Sequence, residues 1–353
     1  MHATAPLRAA VRPLDERAAA AARARQAQLL KPAGSLGRLE ELAVWLAAAT
    51  GAEAPAVRAR VVVAAADHGV AEEGVSAYPP DVTRQMVAAF LSGGAAVRVL
   101  AAAEGAEVVV VDAGVRGLGP VSGVVPAPGV GGPSANLARE PALSSAAVDA
   151  ALACGRSLAA DAARDGVTVV VGGGMGIGNT TAATCLAAWL TGRDPVELTG
   201  PGTGLDAAGI ARKQAVVERA LALHAPGIDG PVEALRRLGG GEIAVLAGLA
   251  LGAGEHGLAL VCDGVISTAA IAVAVRMEPA LCPRLLAGHR SPEPAHGALL
   301  DALGLAPVLD LGMRLGEASG AVAALAVLRL ACAVHNDMAT FAEAGVDGPA
   351  VCT

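Results

Sequence analysis

Residues 167–181, VTVVVGGGMGIGNTT, constrain this chain more than any other stretch. A β-branched apolar run calls for a buried strand, and the abrupt change to glycines followed by two threonines calls for a glycine-rich loop and a helix beginning near Thr180. Glycines let the backbone approach a ligand closely, and the free N–H groups at a helix start favour an anion. The letters also exclude two familiar phosphate loops. No frame of Gly172, Gly173, Gly174, Gly176 and Gly178 supplies the first, third and sixth glycines of a dinucleotide fingerprint. The spacing from Gly173 to Gly178 and Thr180 fits a nucleoside-triphosphate loop, but Asn179 stands where that loop needs its lysine. What remains is a cradle for a simpler anion, or a tight turn with no ligand.

The same grammar recurs along the chain. Strand-like residues 60–66 end at Asp67-His68-Gly69, 107–111 at Asp112-Ala113-Gly114, and 257–262 at Asp263-Gly264, with helical periodicity between them over 81–91, 144–165 and 180–191. Apolar strand, polar end, loop and helix in repetition predict an α/β fold with a doubly wound parallel sheet whose polar ends share one edge. Residues 307–311 read as a further strand, 298–303 and 321–334 as helices, and 117–133 as a long covering loop. With 353 residues, 54% hydrophobic and 1% aromatic, the core must be close-packed from small aliphatic layers. A net charge of −7 without a basic run argues against nucleic acid as a partner. The six cysteines are scattered with no Cys-x-x-Cys pair, which speaks against a zinc site or disulfide framework and for a reduced, cytoplasmic setting. Apolar runs near 243–254 and 264–275 are too short to span a bilayer, and the first 31 residues lack a signal-like core.

Several groups are candidates for chemistry. A second glycine-rich loop, Thr199 to Asp206, runs into a helix carrying Lys213; together with the first loop it could cradle one phosphate monoester, whereas Lys213 alone would read as a surface charge. Asp67-His68-Gly69 is either a site at a strand's carboxyl end or a hydrogen-bonded turn. Residues 31–37 are either a loop reaching a ligand or an interhelix connector. Glu317 lies between small and apolar residues before a nearly charge-free helix; it is either a base of raised pKa or a cap for that helix. Asp112 stands alone, unlike the acidic pair that handles magnesium in transferases using pyrophosphorylated ribose.

Taken in order, KPAGSLGRLE (31–40), ADHGVAEEGVSAYPPDVTRQMV (66–87), GMGIGNTT (174–181), TGPGTGLD (199–206), GHRSPEPAHG (288–297) and LDLGMRLGEASG (309–320) resemble the nicotinate-nucleotide–dimethylbenzimidazole phosphoribosyltransferase family. The resemblance implies a Rossmann-like domain over residues 59–297, a small helical domain built from both chain ends (1–58 with 298–353), and a homodimer. It implies transfer of ribose phosphate from nicotinate mononucleotide to 5,6-dimethylbenzimidazole, giving α-ribazole 5′-phosphate and nicotinate, without metal or cofactor. By position, Glu317 would take the proton from the attacking base. Gly176, Thr203, Gly204, Lys213 and Ser291 would hold the phosphate, with Asn179, Thr180 and Asp263 close to the ribose or nicotinate. Tyr78, Gln85, Met86 and Leu315 would form an apolar slot for the flat base. One position departs: the family commonly has glutamate where this chain has Gly174, so Glu317 acts alone or with a compensating group such as Glu242, and restoring the glutamate is expected to raise activity. Transfer to another acceptor (adenine, another benzimidazole, a phenol) and a non-catalytic nucleotide sensor are the competing readings.

Overall fold

The computed structural model describes residues 10–348. Two helices come first, α1 (Glu16–Gln28) and α2 (Arg38–Thr50), followed by β1 (Ala59–Ala65), α3 (Val82–Ser92), α4 (Ala96–Ala103), β2 (Glu107–Asp112) and β3 (Val124–Pro126). The middle of the chain forms α5 (Ser145–Arg164), β4 (Val169–Met175), α6 (Asn179–Thr191), α7 (Pro195–Leu198), α8 (Ala207–His224), α9 (Pro231–Leu238) and α10 (Gly241–His256). Then come β5 (Ala259–Cys262), α11 (Val265–Met277), β6 (Leu285–Ala287), α12 (Pro294–Leu303), α13 (Ser319–Asp337) and α14 (Phe341–Ala344).

All six strands pair in parallel in the order β3-β2-β1-β4-β5-β6. This is a doubly wound sheet whose order reverses between β1 and β4, and the crevice outside the carboxyl ends at that switch is where such sheets hold ligands. Alternation along β1 divides the core. Val62 and Ala64 join a cluster with α5, α10 and α11, while Val61, Val63 and Ala65 join α2 and α13 on the other face.

With so few rings to fill space, layers meet by backbone approach. A Cβ on Gly248 of α10 would lie 2.3 Å from the Leu152 carbonyl oxygen of α5, and one on Gly155 of α5 would lie 2.1 Å from that of Val245. Gly248→Ala must push these helices apart. It should cost about 1–3 kcal/mol, read as a lower urea midpoint at unchanged slope.

Three sequence expectations change. Gly172, Gly173 and Gly174 belong to β4, so the loop proper is only Gly176 to Gly178. Residues 117–133 contain β3, a three-residue edge strand too short to show a period. Residues 307–311 form only a single bridge, Leu309 to His289, because Pro307 lacks a donor and Gly312 ends the run; the sixth strand is β6. The chain ends do meet as helices, but α2 and α13 lie directly on the sheet and share its core, and α12 packs on α6, α7 and α11. The helix α13 is apolar and long enough to cross a bilayer, yet it buries Val322, Leu325 and Leu328 against the sheet, and Gly93 in the left-handed region interrupts the other apolar run between α3 and α4.

Candidate active site

At the switch point β4 runs through Gly174 and Met175 into the turn that starts α6. Gly176 is required there: a Cβ would sit 2.3 Å from the Ala66 carbonyl oxygen at the end of β1. Gly178, at φ 98°, takes a conformation that side chains resist. The turn is fixed to α3 by buried Thr83, whose Oγ1 accepts from the Ile177 amide at 3.1 Å. This places Gly176, Asn179 and Thr180 around the amino terminus of α6.

Lys213 of α8 is fully buried and reaches this terminus. Its Nζ donates to Thr180 Oγ1 at 2.9 Å and to the Gly200 carbonyl at 3.2 Å. Burial lowers its pKa to about 8, against the opposing pull of Glu293. Glu293 Oε1 accepts from the Gly202 amide at 2.8 Å, and the Ser291 hydroxyl accepts from the Glu293 amide at 3.3 Å, so the loops at 199–206 and 288–297 are tied together. Thr203 Oγ1 accepts from the Ala77 amide and bonds the Ser76 hydroxyl, both at 3.1 Å, which links the glycine loop to the segment carrying Tyr78. Gly204, at φ 104°, borders open space. Glu293 went unnoticed in the sequence because nothing local pairs it with an amide 91 residues away.

Glu317 lies on the other side of β4. It is 6% exposed, and with Ala318 it forms the only pair of non-glycine residues at positive φ (61° and 71°) among the described residues. Burial, and secondarily the charge of Asp263, raise its pKa to about 7, and its Oε2 has no hydrogen-bond partner among the described residues. Gly173 makes the turn possible, since a Cβ there would meet the Ala318 nitrogen at 2.5 Å. Glu317 is therefore a buried carboxylate that exchanges its proton close to neutral pH. It precedes α13 without capping it.

Asp263 is 2% exposed, and its Oδ1 accepts from the amides of Gly320 (2.9 Å) and Ala321 (3.0 Å) while Oδ2 accepts from Ala318 (3.1 Å). The aspartate fills the amino terminus of α13 from the end of β5.

The residues expected around a flat base are open to approach. Tyr78 is 54% and Leu315 59% exposed, Gln85 is exposed and Met86 half-buried on α3. His68 and Glu242 are both fully buried and joined at 2.8 Å, so Asp67-His68-Gly69 is a tied turn, and the described residues contain no group of three His, Cys, Asp or Glu able to hold a metal. Lys31 pairs with Glu40 at 2.7 Å and closes the 31–37 segment on its own helix.

Gly174 is explained by its neighbours. A Cβ there would lie 2.8 Å from Ile266 Cγ2 and 3.6 Å from Glu242 Cγ. A glutamate would have to displace Ile266 and set a second carboxylate beside a buried one, which opposes the expected gain in activity. Gly174→Glu should instead lose about 1–3 kcal/mol of stability, partly regained with Ile266→Ala, as urea unfolding of the single and double variants would show.

Comparison with known proteins identifies the family of the chain. The family model described as "Phosphoribosyltransferase" matches residues 11–346. The nicotinate-nucleotide–dimethylbenzimidazole phosphoribosyltransferase of Ectopseudomonas mendocina is 51% identical over 340 residues, 95% of each chain, and that of Chloroflexus aggregans is 50% identical over 335 residues, also 95% of each. A crystal structure of the enzyme of that name from Thermus thermophilus superposes with a TM-score of 0.89 at 47% identity, covering 95% of this chain and 100% of that one. With a family model over nearly the whole chain and relatives about half identical along 95% of both chains, this protein belongs to the nicotinate-nucleotide–dimethylbenzimidazole phosphoribosyltransferase family.

Proposed function

We propose that this protein transfers ribose 5-phosphate from nicotinate mononucleotide to 5,6-dimethylbenzimidazole, releasing nicotinate and α-ribazole 5′-phosphate. The observation that carries the reading is Glu317, a buried carboxylate of raised proton affinity with a free oxygen, lying on β4 opposite a lysine-lined cradle at α6.

The nucleotide's phosphate sits on the amino terminus of α6 and the 199–206 loop, held by Lys213, Thr203, Ser291 and the backbone at Gly176 and Gly204, with Asn179 and Thr180 toward the ribose. The flat base lies against Tyr78, Gln85, Met86 and Leu315. Its unprotonated ring nitrogen attacks C1′ from the face opposite the departing ring, which inverts the anomeric centre. The C1′–N bond breaks with its electron pair going to the pyridinium nitrogen, so the leaving group departs with a neutral ring and needs no acid. Glu317 takes the proton from the other ring nitrogen as positive charge develops on the base. A homodimer in the cytoplasm completes the proposal: Leu311, 66% exposed, offers apolar surface that a second copy would cover, and the widely spaced cysteines suit a reducing compartment.

Purified protein incubated with the two substrates should form α-ribazole 5′-phosphate and nicotinate in equal amounts, resolved by chromatography. Binding of either substrate without product would sink the proposal in favour of a sensor, and faster turnover of adenine or a phenol would reassign the acceptor.

The pH dependence follows from the two buried groups. Glu317 must be ionised, so activity rises through about pH 7; Lys213 must be charged to hold phosphate, so activity falls above about pH 8. kcat/KM for the nucleotide should trace a narrow bell between these values. Glu317→Gln should remove the acidic limb and Lys213→Met the basic one.

A further inference from the structure

We propose that Asp263 is a positioning residue for the reaction above: its carboxylate clamps the left-handed pair Glu317–Ala318 and faces Glu317 with a fixed negative charge. The proposal rests on Glu317 being the base.

Consecutive non-glycine residues at φ 61° and 71° cost about 1–3 kcal/mol each and persist only where the surroundings over-determine them. Here two features do so. Gly173 leaves room on β4, and Asp263 accepts three amides from the turn and the first residues of α13. The helix cannot supply this cap itself, because its cap residue is Ala318. An aspartate 55 to 58 residues earlier in the chain does it instead, from a strand end that cannot shift without disturbing the sheet.

The clamp is also an electrostatic neighbour. Burial by itself would raise Asp263, but the His289 ring 3.5 Å away and the amides it accepts from outweigh this and hold it below the ordinary aspartate value. Glu317 thus gains a proton more readily than burial alone would make it. The other titratable groups on this side are His289, 3.5 Å from Asp263 and packed flat on Gly320, and His296 behind it, which burial lowers to about 4 and so leaves neutral. Two effects on the chemistry follow: Glu317 is aimed, and it is more basic.

The test compares Asp263→Asn with wild type in the full-length enzyme, following kcat against pH with both substrates saturating so that protonation of the free base does not enter. The expected result is a kcat at least about tenfold lower, KM for the nucleotide changed by less than about threefold, and an acidic limb displaced downward by about one pH unit, because a neighbouring charge has been removed. A uniform loss at every pH, with the limb unmoved, would mean that Asp263 only supports the fold, and the proposal would be wrong. If Asp263→Asn does not fold, Asp263→Asn with Ala318→Gly takes its place, since glycine adopts φ near 70° without help. Failure of both to fold also overturns the proposal. Should wild-type protein make no product, the functional reading fails; the clamp is then judged by titrating Glu317 with carboxylate-carbon NMR in wild type and variant, where the same downward displacement supports it and none refutes it.

Discussion

Glu317→Gln will lower kcat by about 10²–10⁴-fold while leaving KM for nicotinate mononucleotide nearly unchanged, the range expected when a positioned general base is lost. The same substitution will make the protein more stable in alkali. The fold raises Glu317 from an ordinary 4.5 to about 7, so it favours the protonated carboxyl. Below the unfolded value both states carry the proton and nothing is at stake. As pH rises from 4.5 toward 7 the unfolded chain ionises while the folded state still holds the proton, and stability is lost progressively; above 7 the loss is complete, about 3 kcal/mol for this separation. Glutamine removes the charge and keeps the shape. Urea unfolding at pH 5 and pH 8.5 should show the variant gaining on wild type only at the higher pH. Equal stability at both would mean that Glu317 is better solvated than its burial implies, and turnover within tenfold of wild type would remove it as the base.

Lys213→Met will raise KM for the nucleotide by about 100-fold or more with a smaller change in kcat, because truncating one side of a buried charge pair costs about 2–5 kcal/mol and the phosphate does not change during the reaction. A fully buried ammonium bonded only to a hydroxyl and a carbonyl is poorly placed for stability; burial pulls its pKa from 10.5 to about 8. Its position makes sense as one half of an ion pair whose other half arrives with the substrate. Inorganic phosphate should therefore raise the melting temperature of wild type and leave Lys213→Met unaffected. A phosphate response retained in full by the variant would move the anion site elsewhere.

Much of this was legible in the letters because it is local. The β-branched run before Gly172, the threonines at the start of α6, and Asp or Gly at the ends of β1, β2 and β5 each carry their cause within a few residues, and together they specify a parallel sheet with a polar edge. Glu317 stood out for a similar reason, an acid among small and apolar neighbours. The glycines of β4 were read less well: composition signals a loop, whereas here each missing Cβ admits a neighbour, Leu246 at Gly172, Ala318 at Gly173 and Ile266 at Gly174. Short strands such as β3 and β6 leave no period to detect.

The alternation of longer strands with helices, the small-residue core and the candidacy of Glu317 are written in the sequence, since each depends on contacts between near neighbours or on the chemistry of one side chain. The direction in which Asp263 points, the pairing of Lys213 with Thr180 and of His68 with Glu242, and the exposure of Tyr78 and Leu315 were decided only by the tertiary structure. Each of these depends on distances between segments tens to hundreds of residues apart, and those are set by how helices of small residues settle on a twisted sheet.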